Sequence, residues 1–178
     1  MKLFYLSIIT LFLLVIEGVA TDFLPNYFVE KDWFIIPHWQ LVFLILVAIF
    51  YDQEDSYYSV YVALPFGLIT DIVYTNILGV HMFVYAMVVY AMHGLKKLLH
   101  TNFFVAVLLT LLGVAISDIA FFIVYSFLGV SNLLWSEYFI IRFFPTLVAN
   151  LLFLLLCYPI MKNRLIKWSD DRFENSSL

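Results

Sequence analysis

The chain runs again and again through apolar stretches of the ~18 to 20 residues needed to cross a bilayer, separated by polar segments too short to fold alone. That alternation leaves few folds open. Within lipid every backbone N–H and C=O must be satisfied internally, so spanning segments of this length are helices. The expected class is therefore all-α, a polytopic membrane protein with a bundle of six transmembrane helices over residues 1–161 and a cytoplasmic polar tail over 162–178. Composition agrees: 65% of the 178 residues are hydrophobic and 12% are charged, against about 25% charge in a soluble domain. A net charge of −4 without basic clusters outside the tail argues against nucleic acid as a partner. Cys157 is the single cysteine, so one chain can build neither a disulfide nor a cysteine metal site.

The first apolar run, 3–16, follows Lys2 and ends near Glu17, Gly18 and Ala20, which has the outline of a signal peptide. A carboxylate just ahead of the cleavage point favours an uncleaved first helix. The further helices are expected at about 36–51, 57–74, 78–95, 101–128 and 138–161, with a reversal at Thr75 and Asn76 and an acidic turn at 52–55. Trp33, His38, Trp39 and His81 suit the headgroup level, where amphipathic rings collect. Counting Lys and Arg in short loops and flanks puts Lys2, Lys96, Lys97, Lys162, Arg164, Lys167 and Arg172 on one side against Lys31 and Arg142 on the other. The excess of seven to two predicts a cell-membrane protein with both termini cytoplasmic. On that side the sequon Asn175-Ser-Ser177 cannot be glycosylated.

Three stripes of small or polar residues recur at helical spacing. Ser59, Ala63, Gly67, Asp71 and Thr75 fall four apart, Thr110, Gly113, Ser117 and Asp118 share a second face, and Arg142, Thr146 and Asn150 form a third. Ala63, Gly67, Gly113 and Ser117 predict close helix packing or a partner interface, since small residues let backbones approach. A parallel repeat is suggested by Thr70-Asp-Ile72 before Leu78-Gly-Val80 and Ser117-Asp-Ile119 before Leu128-Gly-Val130.

At 1.5 Å per residue, Glu17, Asp71 and Asp118 each lie roughly 20 to 23 Å from the cytoplasmic face, and Arg142 reaches the same depth from the other side. Together with Asn150 they are the expected intramembrane polar layer. A carboxyl there costs ~2.5 to 3.5 kcal/mol on insertion scales, so each needs either a function or partners. One reading is a relay or a small-ligand pocket. The reading favoured by three acids at one depth, rather than at successive depths, is a set of interhelical bonds with Arg142 on Asp118 or Asp71. No nucleophile elbow, zinc-protease or phosphate-loop pattern is present, so neither catalysis, a cofactor nor a metal is expected.

The run with Gly67, Asp71, Tyr74 and Gly79 resembles the rod shape-determining protein MreD family. The resemblance implies a noncatalytic scaffold subunit of the bacterial lateral wall-synthesis complex (the elongasome of cell wall biogenesis and peptidoglycan synthesis), set among membrane lipids. It implies an MreC-like bitopic partner and a wall polymerase with its transpeptidase. In size and helix number the chain is also similar to the substrate-binding S component of energy-coupling-factor vitamin transporters, which stands as the alternative.

Overall fold

The computed structural model describes residues 2–22, 33–75, 77–131 and 133–173, and these contain helices and no strand. Lys31, Asn76 and the sequon at 175–177, on which parts of the sequence reading rested, lie outside the described residues. The helices are α1 (Lys2–Asp22), α2 (Trp39–Phe50), α3 (Tyr58–Tyr74), α4 (Val80–Leu98) and α5 (Phe103–Phe127). The last rod is built of a short α6 (Trp135–Tyr138), a π-helical turn (Phe139–Phe143) and α7 (Phe144–Phe173).

The shortest of the long helices holds the centre. α2 is apolar on every side and buried from Gln40 to Phe50, as a helix without a polar face must be. It touches α1, α3, α4, α5 and α7. Around it α3 pairs with α4, α4 with α5, and α5 with α7, while α1 lies against α2 and α3. Among its described side chains α1 buries Leu6, Thr10, Leu13 and Leu14, leaving Phe4, Ile8, Leu11, Phe12, Val15 and Val19 on the outside. Such an exterior suits lipid. By length and composition, 3–20, 103–127 and 135–172 can each cross a membrane, whereas α2 and α3 are shorter apolar helices.

α2 starts at Trp39, later than the expected 36, because Pro37 biases the residue before it to extended backbone. Residues 33–38 instead enter the bundle as an irregular segment. Non-helical backbone at this depth is tolerated only where protein satisfies it. The third sequence stripe does so: Thr146 Oγ1 accepts from Ile36 N at 3.1 Å, Asn150 Oδ1 accepts from His38 N at 2.7 Å, and Asn150 Nδ2 donates to Ile36 O at 3.0 Å. Phe34 N donates to Ile141 O inside the π-helical turn at 2.9 Å. This corrects the headgroup placement of His38, which is 1% exposed and stacked on Phe121. Trp39 is likewise packed inward, against Phe153 at 4.9 Å.

At the basic end, α7 does not stop at 161 but continues to Phe173, about 45 Å in all at 1.5 Å per residue. Its last turns have partners there. Ser169 Oγ donates to Tyr51 O at 2.8 Å, and the Arg172 guanidinium lies 3.9 Å over the Tyr58 ring while donating to Tyr51 Oη. Asp52 accepts from Tyr58 N, Ser59 N and Ser59 Oγ, which starts α3, and Lys96 Nζ donates to Ala48 O and Asp52 O, which finishes α2. Burial pushes the Asp52 carboxyl above its ordinary pKa and the Lys96 ammonium below its own.

Candidate functional site

The α3–α4 hairpin is assembled by Gly67, Asp71 and Gly79, and Tyr74 ties it to α1. A Cβ at Gly67 would lie 2.6 Å from Met82 Cα, so only glycine lets the two helices close this tightly. Gly79 takes φ +94°, a left-handed turn conformation that other residues rarely adopt. The tight return brings Asp71 over the first turn of α4. There Oδ2 accepts from Gly79 N at 2.8 Å and Met82 N at 3.2 Å, and Oδ1 accepts from His81 N and His81 Nδ1, both at 2.9 Å. Asp71 thus caps α4 from the preceding helix, placing a carboxylate on the positive end of the helix dipole. Tyr74 reaches the other way, donating to Leu14 O of α1 at 2.9 Å across Gly18, where a Cβ would fall 2.2 Å from the Tyr74 hydroxyl.

The second carboxylate, Asp118 on α5, is wholly buried. Arg142 donates to its Oδ1 through Nε at 3.1 Å and Nη2 at 3.0 Å, and Tyr138 donates to Oδ2 at 2.7 Å. His38 Nε2 stands 3.7 Å from the same Oδ1. Of the two partners the sequence allowed Arg142, the structure brings it to Asp118. Tyr138 and Arg142 flank and occupy the π-helical turn, an irregularity that concentrates at functional positions. Phe122 stacks on Tyr138 at 4.0 Å and holds that ring in place.

Glu17 accepts from Gln40 N at 3.1 Å, at the start of α2, and Thr70 Oγ1 donates to Gln40 Oε1 at 3.2 Å. Glu17, the Asp71 partner His81 and the Asp118 partners His38 and Arg142 all line one cavity of about 880 Å³. Asn150 lies away from it, eight residues or about 12 Å along the rod from Arg142, on the 36–38 backbone. Of the packing residues, Ala63 and Ser117 are fully buried, and a Cβ on Gly113 would come 2.5 Å from Ile45 of α2.

His81 differs from its expected headgroup role: it is bonded to Asp71 and stacked 4.3 Å from Phe121. Phe121 therefore has two imidazoles stacked against it, His38 at 5.7 Å and His81 at 4.3 Å, each beside its own carboxylate. The sequence reading also did not place Tyr138, His38 or Gly18 in this site. A signal existed for His81, because a five-residue reversal after Tyr74 returns the chain with residue 81 beside residue 71.

A helical bundle with an apolar exterior, a buried and almost wholly apolar central helix and carboxylates held by partners inside defines an integral membrane protein with polar groups in its interior. The chain belongs to the MreD family, whose model, described as rod shape-determining protein MreD, matches residues 2–167. Rod shape-determining protein MreD of Bacillus subtilis (strain 168) is 29% identical to it over 151 residues, covering 85% of this chain and 86% of that protein. No solved structure matches. Family membership makes this a rod shape-determining membrane protein.

Proposed function

We propose that the chain is a noncatalytic scaffold of the lateral wall-synthesis complex, spanning the bacterial cell membrane six times with both termini in the cytoplasm. Its partners are a bitopic MreC-like protein and a wall polymerase with its transpeptidase. The supporting observation is the saturation of the carboxylates: Asp71 accepts four N–H groups and Asp118 holds Arg142 and Tyr138, so both stabilise helix contacts. The helix faces left outside the bundle are then the working surface. Seven of the nine basic residues on one side support the orientation.

The 880 Å³ cavity favours a second reading, a substrate-binding S component of a vitamin transporter. Depletion in the native cell separates the two. Rounded or swollen cells, with a bitopic partner and wall enzymes recovered from native membrane by pull-down and mass spectrometry, support the scaffold. Normal shape with impaired vitamin uptake supports the transporter subunit.

A further inference from the structure

The cavity bounded by α1, the 33–38 segment, the α3–α4 turn and α5 has a mostly apolar wall, with Ile36, Pro37, Ile77, Phe121 and Tyr125 on it. Its ~880 Å³ falls within the range of about 300 to 1,000 Å³ common to small-molecule sites. Val15 and Val19 also line it and stand half exposed on the outer face of α1, so the cavity adjoins the surface that suits lipid. An occupant arriving from that side needs an apolar body. The wall favours neither sign of charge. It carries one acid and one guanidinium, Glu17 and Arg142, and neither Asp71 nor Asp118 is part of it. A guest ion would leave water for a site with no surplus of opposite charge to meet it.

Two lining side chains keep hydrogen-bonding capacity once the bundle is bonded. Arg142 spends Nε and Nη2 on Asp118, and its Nη1 makes no hydrogen bond among the described residues. His81 gives Nδ1 to Asp71, so Nε2 of the neutral ring is an acceptor, and it too has no partner among them. The hydroxyls of the wall differ, since Thr70 donates to Gln40 Oε1 and Phe66 O and Thr75 to Asp71 O. One apolar cavity is thus lined by a donor and an acceptor. The uncharged group that answers both is an amide, whose C=O accepts and whose N–H donates.

We infer that this cavity binds a small uncharged molecule with an apolar body and an amide-like head, the head accepting from Arg142 and donating to His81 Nε2. The inference stands apart from the scaffold reading, because shape determination through partners requires no ligand.

The test uses the full chain in lipid nanodiscs, with empty nanodiscs as the blank, and four probes on one ring: benzamide, N,N-dimethylbenzamide without an N–H, anionic benzoate and cationic benzylammonium. Saturation-transfer NMR titrations should show saturable benzamide binding, weakened roughly fivefold or more in the dimethyl amide by the loss of one hydrogen bond, and weaker still for either ion. His81→Asn keeps a donor where Nδ1 meets Asp71 and removes Nε2, so it should abolish the preference for benzamide over the dimethyl amide while both still bind. Val130→Trp, at an exposed loop residue lining the cavity, should block both amides without disturbing the core. Either ion binding as tightly as benzamide, no saturable benzamide binding above the blank, or a preference for benzamide that survives in folded His81→Asn overturns the inference. So does unchanged benzamide binding in a folded Val130→Trp protein.

Discussion

Asp71 and Asp118 show how two buried carboxylates are kept by different means. Asp71 is held by four N–H donors of one helix start, and Asp118 by a guanidinium and a phenol from the last rod. Breaking a buried pair from one side strands a charge at a cost of about 3 to 5 kcal/mol, whereas matched apolar replacement of both can be nearly neutral. Arg142→Leu or Asp118→Leu alone should therefore lower folded yield in detergent, and the double substitution should recover much of it. A relay would give folded single variants that fail in cells and a double that stays inactive. The glycines rank by what stands opposite them. Gly67→Ala meets backbone at 2.6 Å and should cost about 1 to 3 kcal/mol by overpacking. Gly18→Ala meets the movable tip of Tyr74 and should cost about 1 kcal/mol, the Tyr74 to Leu14 bond. Thermal unfolding of the two variants checks the order, and an equal or reversed order removes the argument.

Among the elements, the segment 33–38 depends most on a distant partner. Its backbone is satisfied by residues more than a hundred positions away: Asn150 takes the His38 N–H and the Ile36 carbonyl, and Thr146 takes the Ile36 N–H. Asn150→Leu orphans two buried groups, each worth about 1 to 3 kcal/mol when left unpaired. Hydrogen exchange at the His38 amide should accelerate in that variant and change less in Thr146→Val, which loses one acceptor. If His38 stays protected in Asn150→Leu, the side chain is not what holds the segment. The π-helical turn belongs to the same assembly, because the Ile141 carbonyl within it accepts from Phe34.

For the whole molecule, the orientation proposed from the charge count can be read chemically. In a Cys157→Ser background, a membrane-impermeant thiol reagent on intact cells should label Ser131→Cys and spare Asn163→Cys. Labelling at 163 from outside would reverse the seven-to-two argument. The long last rod matters at this scale too, since α7 carries Ser169 and Arg172 back onto Tyr51 and Tyr58 and joins the basic end to α2 and α3.

Local pattern was enough for much of this protein. Apolar length alone dictated helices, four-residue spacing gathered Ala63, Gly67 and Asp71 on one face, and rise per residue predicted a common depth for Glu17, Asp71, Asp118 and Arg142. These follow from the chain's own periodicity and require no partner. Tertiary structure alone decided that Arg142 takes Asp118 while Asp71 caps α4. It also drew His38 and His81 inward onto Phe121 and carried the last helix through to Phe173. Each of those outcomes is a competition among hydrogen-bonding groups for partners in a medium without water. The winner depends on which helices become neighbours, as between Asn150 and His38, and spacing along the chain does not carry that information.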